Sequence, residues 1–86
     1  MDNAQIRARI EQLEDEERRL RSEESEAADI GRDDVLAADR ERLADIKVEL
    51  DQLWDLLRRR KALRDGGQNP DGAELRDART VEDYLG

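Results

Sequence analysis

The sequence contains no cysteine, no histidine and no phenylalanine, and it has a single proline, tryptophan and tyrosine. Without cysteine the chain has no disulfide framework and no thiolate metal site, and without histidine it lacks the commonest catalytic base and zinc ligand. No apolar run approaches the length that crosses a membrane, and the first residues resemble neither a signal peptide nor a transit peptide. We therefore expect a cytoplasmic protein without a cofactor, a metal site or a membrane contact.

Charged residues, by contrast, make up 47% of the 86 residues, and the formal net charge is −8. Acids and bases alternate with regularly spaced Leu and Ile, which favours solvated helices over a disordered chain. The acidic balance repels nucleic-acid phosphates and anionic lipid headgroups, so neither is expected as a default partner. The length allows one small domain, which buries too little apolar surface to be stable without reinforcement.

The first predicted helix spans about residues 3–27. Its apolar residues alternate at spacings of four and three, a heptad seam that is interrupted by Glu17 and contains Ile6, Ile10, Leu13 and Leu20. The periodicity breaks over residues 28–33, where Gly31 can end a helix in the left-handed conformation. We predict the turn of a helical hairpin there, with Asp33 or Asp34 capping the next helix.

The second predicted helix spans about residues 34–65 and has a seam of the same spacing, interrupted by Asp39. The apolar residues of this seam are Leu36, Leu43, Ile46, Leu50, Leu53 and Leu57. Trp54 lies beside the seam, while Leu56 and Leu63 extend a second apolar edge, so the stripe is wider than one partner helix covers. In an antiparallel hairpin that turns at Gly31, residues whose numbers add to roughly 61 face each other.

The chain after the second helix is predicted to be a linker followed by a short helix. Gly66 and Gly67 end the long helix, so residues 1–67 form the hairpin and residues 68–86 the tail, with the order of residues 68–79 left open. The segment from Thr80 to Asp83 resembles a capping box and predicts a helix over about residues 80–85. Its apolar residues, which we expect to dock back on the hairpin, are Val81, Tyr84 and Leu85.

The predicted fold class is therefore all-α, a coiled-coil-like antiparallel two-helix hairpin with a short C-terminal helical turn. A lone hairpin cannot bury its apolar residues fully, and burial against a second copy is the simplest remedy. We predict a homodimer that forms a four-helix bundle. Its expected interface residues are Trp54, Leu56, Leu57 and Leu63.

One basic block interrupts the acidic chain, and it contains Arg58, Arg59, Arg60, Lys61 and Arg64. It can be interpreted as a site for an acidic partner, a phosphate or RNA, or as the last turns of a helix whose cations complement the helix dipole and pair with nearby acids. The second interpretation is favoured.

No catalytic or metal-binding pattern accompanies these features. The acidic clusters lack the spacing of a calcium loop, and the serines and the threonine lack a histidine base. We therefore expect no enzymatic activity.

Three segments of the chain carry a family resemblance. They are residues 6–13 (IRARIEQL), residues 52–64 (QLWDLLRRRKALR) and residues 81–85 (VEDYL). Together they resemble a family of small uncharacterised actinobacterial proteins, domain-of-unknown-function family 2630. The resemblance covers most of the chain except the turn, and the tryptophan segment is its most specific part. The pairing of that segment with residues 81–85 implies that the short terminal helix packs near Trp54. It implies a mostly helical, cytoplasmic bacterial protein and brings no activity, ligand or site residue with it.

The leading functional hypothesis is a structural or protein-interaction module that acts as a homodimeric hairpin and recruits an unidentified protein partner. The alternative hypothesis is nucleic-acid or ribonucleoprotein association through the basic end of the second helix, from Arg58 to Arg64.

Overall fold

The computed structural model describes residues 1–85, with side chains up to Asp83. Two long helices, α1 (Asn3–Asp29) and α2 (Asp33–Asp65), pack antiparallel against each other. A 3₁₀ turn (Pro70–Gly72) and a short helix, α3 (Ala78–Leu85), follow. No strand occurs in these 85 residues, so the all-α hairpin with a short C-terminal helix is confirmed.

Both ends of α1 are fixed by local hydrogen bonds. The Asp2 carboxylate accepts from the Gln5 backbone N–H at 2.8 Å, and the Gln5 side chain accepts from the Asp2 N–H at 2.9 Å, a capping box that we did not predict from the sequence. At the other end Gly31 takes φ +71°, and the Arg32 N–H donates to the Ala27 carbonyl at 2.8 Å. The predicted turn at Gly31 is therefore confirmed.

The predicted cap of α2 was wrong. Asp33 is already the first helical residue, and Arg32 occupies the cap position without a side-chain hydrogen bond. Asp34 instead accepts two hydrogen bonds of 3.1 Å from the Arg32 guanidinium. The turn is shorter than expected, so both aspartates lie in the first turn of α2, where they still complement the positive end of the helix dipole.

The predicted capping box of the last helix was also displaced. The helix starts at Ala78, and the Thr80 backbone N–H donates to the Asp77 carboxylate at 2.8 Å, so Asp77 caps it and Thr80 lies inside it. Val81 docks as predicted and is 2% exposed. The expected apolar contacts of Tyr84 and Leu85 lie outside the described side chains.

The register of the hairpin is set by polar pairs that flank the apolar seam. Arg9 pairs with Glu49 at 2.5 Å and Glu16 with Arg42 at 2.7 Å, and the residue numbers add to 58 in both pairs. Arg60 donates to the Asn3 side chain at 2.6 Å, a pair whose numbers add to 63. These sums bracket the predicted value. The buried core between and beside the helices consists of Ile6, Ile10, Leu13, Leu20, Ile46, Leu53, Leu56 and Leu57.

Residues 68–83, hereafter the strap, run back along α2. The Arg76 carbonyl accepts from the Gln52 side chain at 3.1 Å, and the Glu74 carbonyl accepts from Arg59. Asp71 pairs with Arg60 at 2.9 Å. The 3₁₀ turn and α3 both contact α2. We call the part of α2 that faces these segments the strapped side, and it carries Gln52, Leu56, Arg59 and Leu63.

The strap corrects one expectation about the dimer. The apolar stripe of α2 does pack against a second partner besides α1. On the Leu56 flank that partner is the strap of the same chain. Leu56 is only 3% exposed in the single chain, and Ala73 of the strap packs against the core to which Leu56 belongs. The expectation that Leu56 needs a second copy was therefore wrong.

The core predicts a large difference between two isoleucines. Ile46 is fully buried, whereas Ile30 in the turn is 72% exposed. Ile46→Ala should lower the free energy of unfolding by about 2–5 kcal/mol because it leaves a cavity, and Ile30→Ala should change it by less than about 0.5 kcal/mol. Urea denaturation at one protein concentration measures both values. Equal losses would contradict this packing.

Candidate functional site

The hairpin has a second side that the strap does not cover, here called the open side. Trp54 lies on it and is 41% exposed. At about 100° per residue, Trp54 is roughly half a turn around α2 from Gln52, Arg59 and Leu63. The hollows next to Trp54 are lined by residues of α1 and α2. The expected packing of α3 near Trp54 stays a prediction, since the side chains of Tyr84 and Leu85 lie outside the described residues.

Two adjoining hollows share Trp54 as a common wall. The larger is a groove of about 240 Å³ between the start of α1 and the end of α2, and its lining is Asn3, Arg7, Trp54, Leu57, Arg58, Lys61 and Arg64. The smaller has about 170 Å³ and is lined by Arg7, Ile10, Glu11, Glu14 and Trp54. We call the end of the hairpin where α1 begins and α2 ends the chain-terminal end. The open side thus combines the exposed indole of Trp54 with four cations at this end and the two carboxylates of the smaller hollow, Glu11 and Glu14.

The basic block is divided between the two sides of α2. Arg59 and Arg60 lie on or near the strapped side: Arg59 pairs with Asp55 at 3.1 Å and donates to the Glu74 carbonyl, while Arg60 is 7% exposed. Arg58, Lys61 and Arg64 line the groove on the open side. The block therefore does not form one continuous basic patch, because consecutive helical residues point about 100° apart.

The groove cations differ in their partners. Lys61 pairs with Asp65 at 2.6 Å, and Arg64 lies 3.8 Å from the same carboxylate. Among the residues with described side chains, Arg7 and Arg58 have no acidic partner within 4.0 Å. These two guanidinium groups retain their capacity to bind carboxylates or phosphates.

The four predicted interface residues do not form one surface. Trp54 is on the open side, and Leu57 is 8% exposed between the helices. Leu56 is buried on the strapped side, where Leu63 lines a separate apolar hollow of about 390 Å³. Of the four, Trp54 alone offers a large exposed surface for a partner.

Electrostatic pairing between the helices is concentrated away from Trp54. Hydrogen bonds from Arg9 lower the pKa of the Glu49 carboxyl, and those from Arg42 lower the pKa of Glu16. Arg9 is two residues from Arg7, about 200° around α1, so the ion pairs and the hollows lie on opposite sides of that helix. Within residues 1–83, no ion pair joins α1 to α2 on the open side.

Metal sites and membrane-spanning helices are both absent from the described part of the chain. No group of three or more acidic side chains there is arranged to hold a metal ion. No helix there is long and apolar enough to cross a membrane. Among the described residues, the open side remains the candidate surface that combines an exposed aromatic side chain with unpaired cations.

The comparisons agree with the resemblance that the tryptophan segment carries. The family described as "Protein of unknown function (DUF2630)" matches residues 2–86. The chain belongs to this family. Uncharacterized proteins of Mycobacterium bovis and Mycobacterium tuberculosis are each 50% identical to this DUF2630 member over 48 residues, which are 56% of this chain and 55% of each relative. The chain thus spans about half the length of these relatives. No solved structure matches it.

The lowered pKa of Glu49 predicts acid sensitivity. A carboxyl whose pKa is lower in the folded than in the unfolded state stabilises the protein above its unfolded pKa, about 4.3, and this contribution is lost as the pH falls through the folded pKa. Glu49→Gln should therefore lower the free energy of unfolding at pH 6 by up to about 1 kcal/mol, since the pair is partly exposed, and by less at pH 3.5. Urea denaturation at both pH values measures the difference.

Glu41→Gln provides the control for this measurement. Glu41 is an exposed residue of α2 without an ion pair among the described side chains. Its replacement should change stability little at either pH. If Glu49→Gln lowers the free energy of unfolding as much at pH 3.5 as at pH 6, the Arg9–Glu49 pair is not the cause of the loss.

Proposed function

We propose that this protein is a non-enzymatic protein-interaction module that acts as a homodimeric helical hairpin, with the open side as its contact surface. The observation that carries the proposal is the 41% exposure of Trp54, the only tryptophan of the chain. An exposed indole between two hollows is typical of an interface anchor, because tryptophan buries a large area at a low entropy cost.

The accessible surface supports the same proposal. The chain exposes 6051 Å², whereas a compact monomer of 10.0 kDa exposes about 5,200 Å². Its principal dimensions are 55 × 26 × 14 Å, so the molecule is long and flat. A chain of this shape has little interior, and association of two copies would give it one.

The location of the strap favours one side for this association. The strapped side is already contacted by residues of the same chain, so we assign the dimer contact to the open side, where the large exposed aromatic ring of Trp54 lies. Two hairpins that pack by their open sides form a four-helix bundle, in which helices cross at about 20°. In that bundle Trp54 of each copy would be covered by helices of the other.

Replacement of the tryptophan tests the dimer. Trp54→Ala should raise the dimer dissociation constant by at least about thirtyfold, because two interface anchors are removed. Sedimentation equilibrium followed at 230 nm measures this constant. At concentrations where the wild-type protein and the variant are both monomeric, circular dichroism should show the same helix content for the two proteins, since Trp54 is not part of the buried core.

Leu75→Ala is the matched control, because Leu75 is a large apolar residue on the strap that is also exposed, at 50%. It should change the dissociation constant by less than about threefold. If Trp54→Ala and Leu75→Ala associate as tightly as the wild-type chain, the open side is not the contact surface. A wild-type chain that remains monomeric at millimolar concentration would reject the dimer.

Nucleic-acid association is the second candidate function, and one observation favours it. Trp54 stands among four cations, Arg7, Arg58, Lys61 and Arg64, and an exposed aromatic ring in a cationic groove can stack on an unpaired base. The net charge of −8 opposes this function, because the rest of the molecule repels phosphates.

Salt dependence distinguishes this candidate. If single-stranded RNA binds in the groove, Arg58→Glu/Lys61→Glu should reduce the slope of log affinity against log salt concentration by about 1.4, which is about 0.7 for each phosphate that is no longer neutralised. The control Arg19→Glu/Arg40→Glu makes the same change of charge on exposed residues outside the groove. No binding of the wild-type chain at 50 mM salt, or equal effects of both double variants, would reject nucleic-acid association.

A further inference from the structure

We infer that the two copies pack antiparallel, open side against open side, about a two-fold axis level with residues 10–11 of α1 and 50–51 of α2. This arrangement rests on the proposed dimer and specifies its contacts. Its partner is a second copy of this chain, recognised by reciprocal Arg7–Glu14 pairs and by reciprocal contacts between Lys47 and Trp54.

The first observation is a pair of opposite charges on one side of α1. Arg7 and Glu14 line the same hollow, and they are seven residues apart, which places them about 10.5 Å apart along one face of the helix. Neither has an ion-pair partner among the described side chains. A two-fold axis midway between them brings Arg7 of each copy to Glu14 of the other, so that two symmetric contacts satisfy all four charges.

The second observation is a cation and an aromatic ring on α2 with the same separation. Lys47 and Trp54 are also seven residues apart, and both are exposed. Lys47 has a 3.5 Å contact with Asp51, but its side chain is 71% exposed and free to change rotamer. A two-fold axis midway between Lys47 and Trp54 brings the Lys47 ammonium of each copy to the face of the other copy's indole. This cation–π contact becomes stronger when water is excluded from it.

One axis serves both pairs because their midpoints lie at the same level of the hairpin. The midpoint of Arg7 and Glu14 is 10.5, that of Lys47 and Trp54 is 50.5, and these numbers add to 61. The cross-helix pairs place residues level with each other when their numbers add to 58–63. Leu50, which is half-buried and packs against the core of its own chain, lies beside the axis and would meet its own counterpart there.

The alternative face-to-face arrangement is disfavoured by charge. If the axis ran parallel to the helices, both turns would point the same way, and the cationic grooves of the two copies would adjoin at one end. That contact brings together eight cations, Arg7, Arg58, Lys61 and Arg64 from each copy, of which Arg7 and Arg58 have no acidic partner in the described structure. Like charges in a closed contact are strongly unfavourable, whereas the antiparallel arrangement separates the two grooves.

Charge reversal across the axis tests the arrangement. Arg7→Glu alone places two acids in each contact, and Glu14→Arg alone places two bases there, so each variant should raise the dimer dissociation constant at least about tenfold. An equimolar mixture of the two variants restores both contacts in a heterodimer, because position 7 of each copy again faces the opposite charge at position 14 of the other. Sedimentation equilibrium should give the mixture a dissociation constant within about threefold of wild type.

Arg19→Glu and Glu23→Arg are the controls, since both residues are exposed on α1 and neither lines the hollows beside Trp54. Each control should dimerise like the wild-type chain. A wild-type dimer that tolerates Arg7→Glu and Glu14→Arg, or a mixture that binds no better than either variant alone, overturns the arrangement and leaves the proposed dimer standing. A wild-type monomer overturns the proposed dimer itself.

Discussion

The architecture depends on the width of the apolar stripe along α2. A stripe of Leu and Ile at heptad spacing fits one partner helix, but α2 adds Leu56 and Leu63 on one flank and Trp54 on the other. The described part of the chain supplies partners for two of these three directions. It covers the centre with α1 and one flank with the strap, which needs little regular structure because its backbone carbonyls accept hydrogen bonds from Gln52 and Arg59. The other flank remains open, and it is the one that carries the tryptophan.

Two buried charges hold these pieces together at the chain-terminal end of the hairpin. Arg60 is 7% exposed and donates to Asn3 at the start of α1 and to Asp71 in the strap. Asp55 is 6% exposed and lies between Arg59 and Arg76. A buried charge is tolerated only with partners, so each of these contacts is specific for one arrangement of the segments. This explains why a run of cations that reads as a basic patch in the sequence is partly internal in the fold.

The sequence predicts the helices and their register well because both follow from spacing. Heptad seams place α1 and α2 to within two residues at each end, and a turn at Gly31 predicts a register that the observed polar pairs between the helices bracket. The path of the strap is not predictable in the same way, since it is determined by side-chain bonds to backbone carbonyls, which any residue type provides. The roles of Leu56 and Trp54 depend on that path. For this reason Leu56 is buried and Trp54 is exposed, although both belong to one apolar stripe in the sequence.

The N-caps of the two long helices also differ in how far the sequence predicts them. Asp2 and Gln5 form a capping box that the acid and amide at that spacing signal, whereas Arg32, Asp33 and Asp34 are three successive polar residues of which sequence alone does not select the cap. The difference is the length of the turn, because α2 already starts at Asp33 and Arg32 is left at the cap position.

The half of the hairpin next to the turn is packed less well than the other half, and Asp39, a polar residue in the seam of α2, lies in it. Asp39 is 7% exposed, and its Oδ2 has no hydrogen-bond partner among the described residues, while Leu36 and Leu43 on either side are only half-buried. A buried unpaired carboxylate oxygen costs stability, but a polar seam position also disfavours a shift of register by one heptad. The turn half is therefore the less stable one, and opening should begin there. Trp54 and its cations lie in the other half, where α1, α2 and the strap meet and where most of the core residues are buried, so the proposed contact surface rests on the better-packed half of the hairpin.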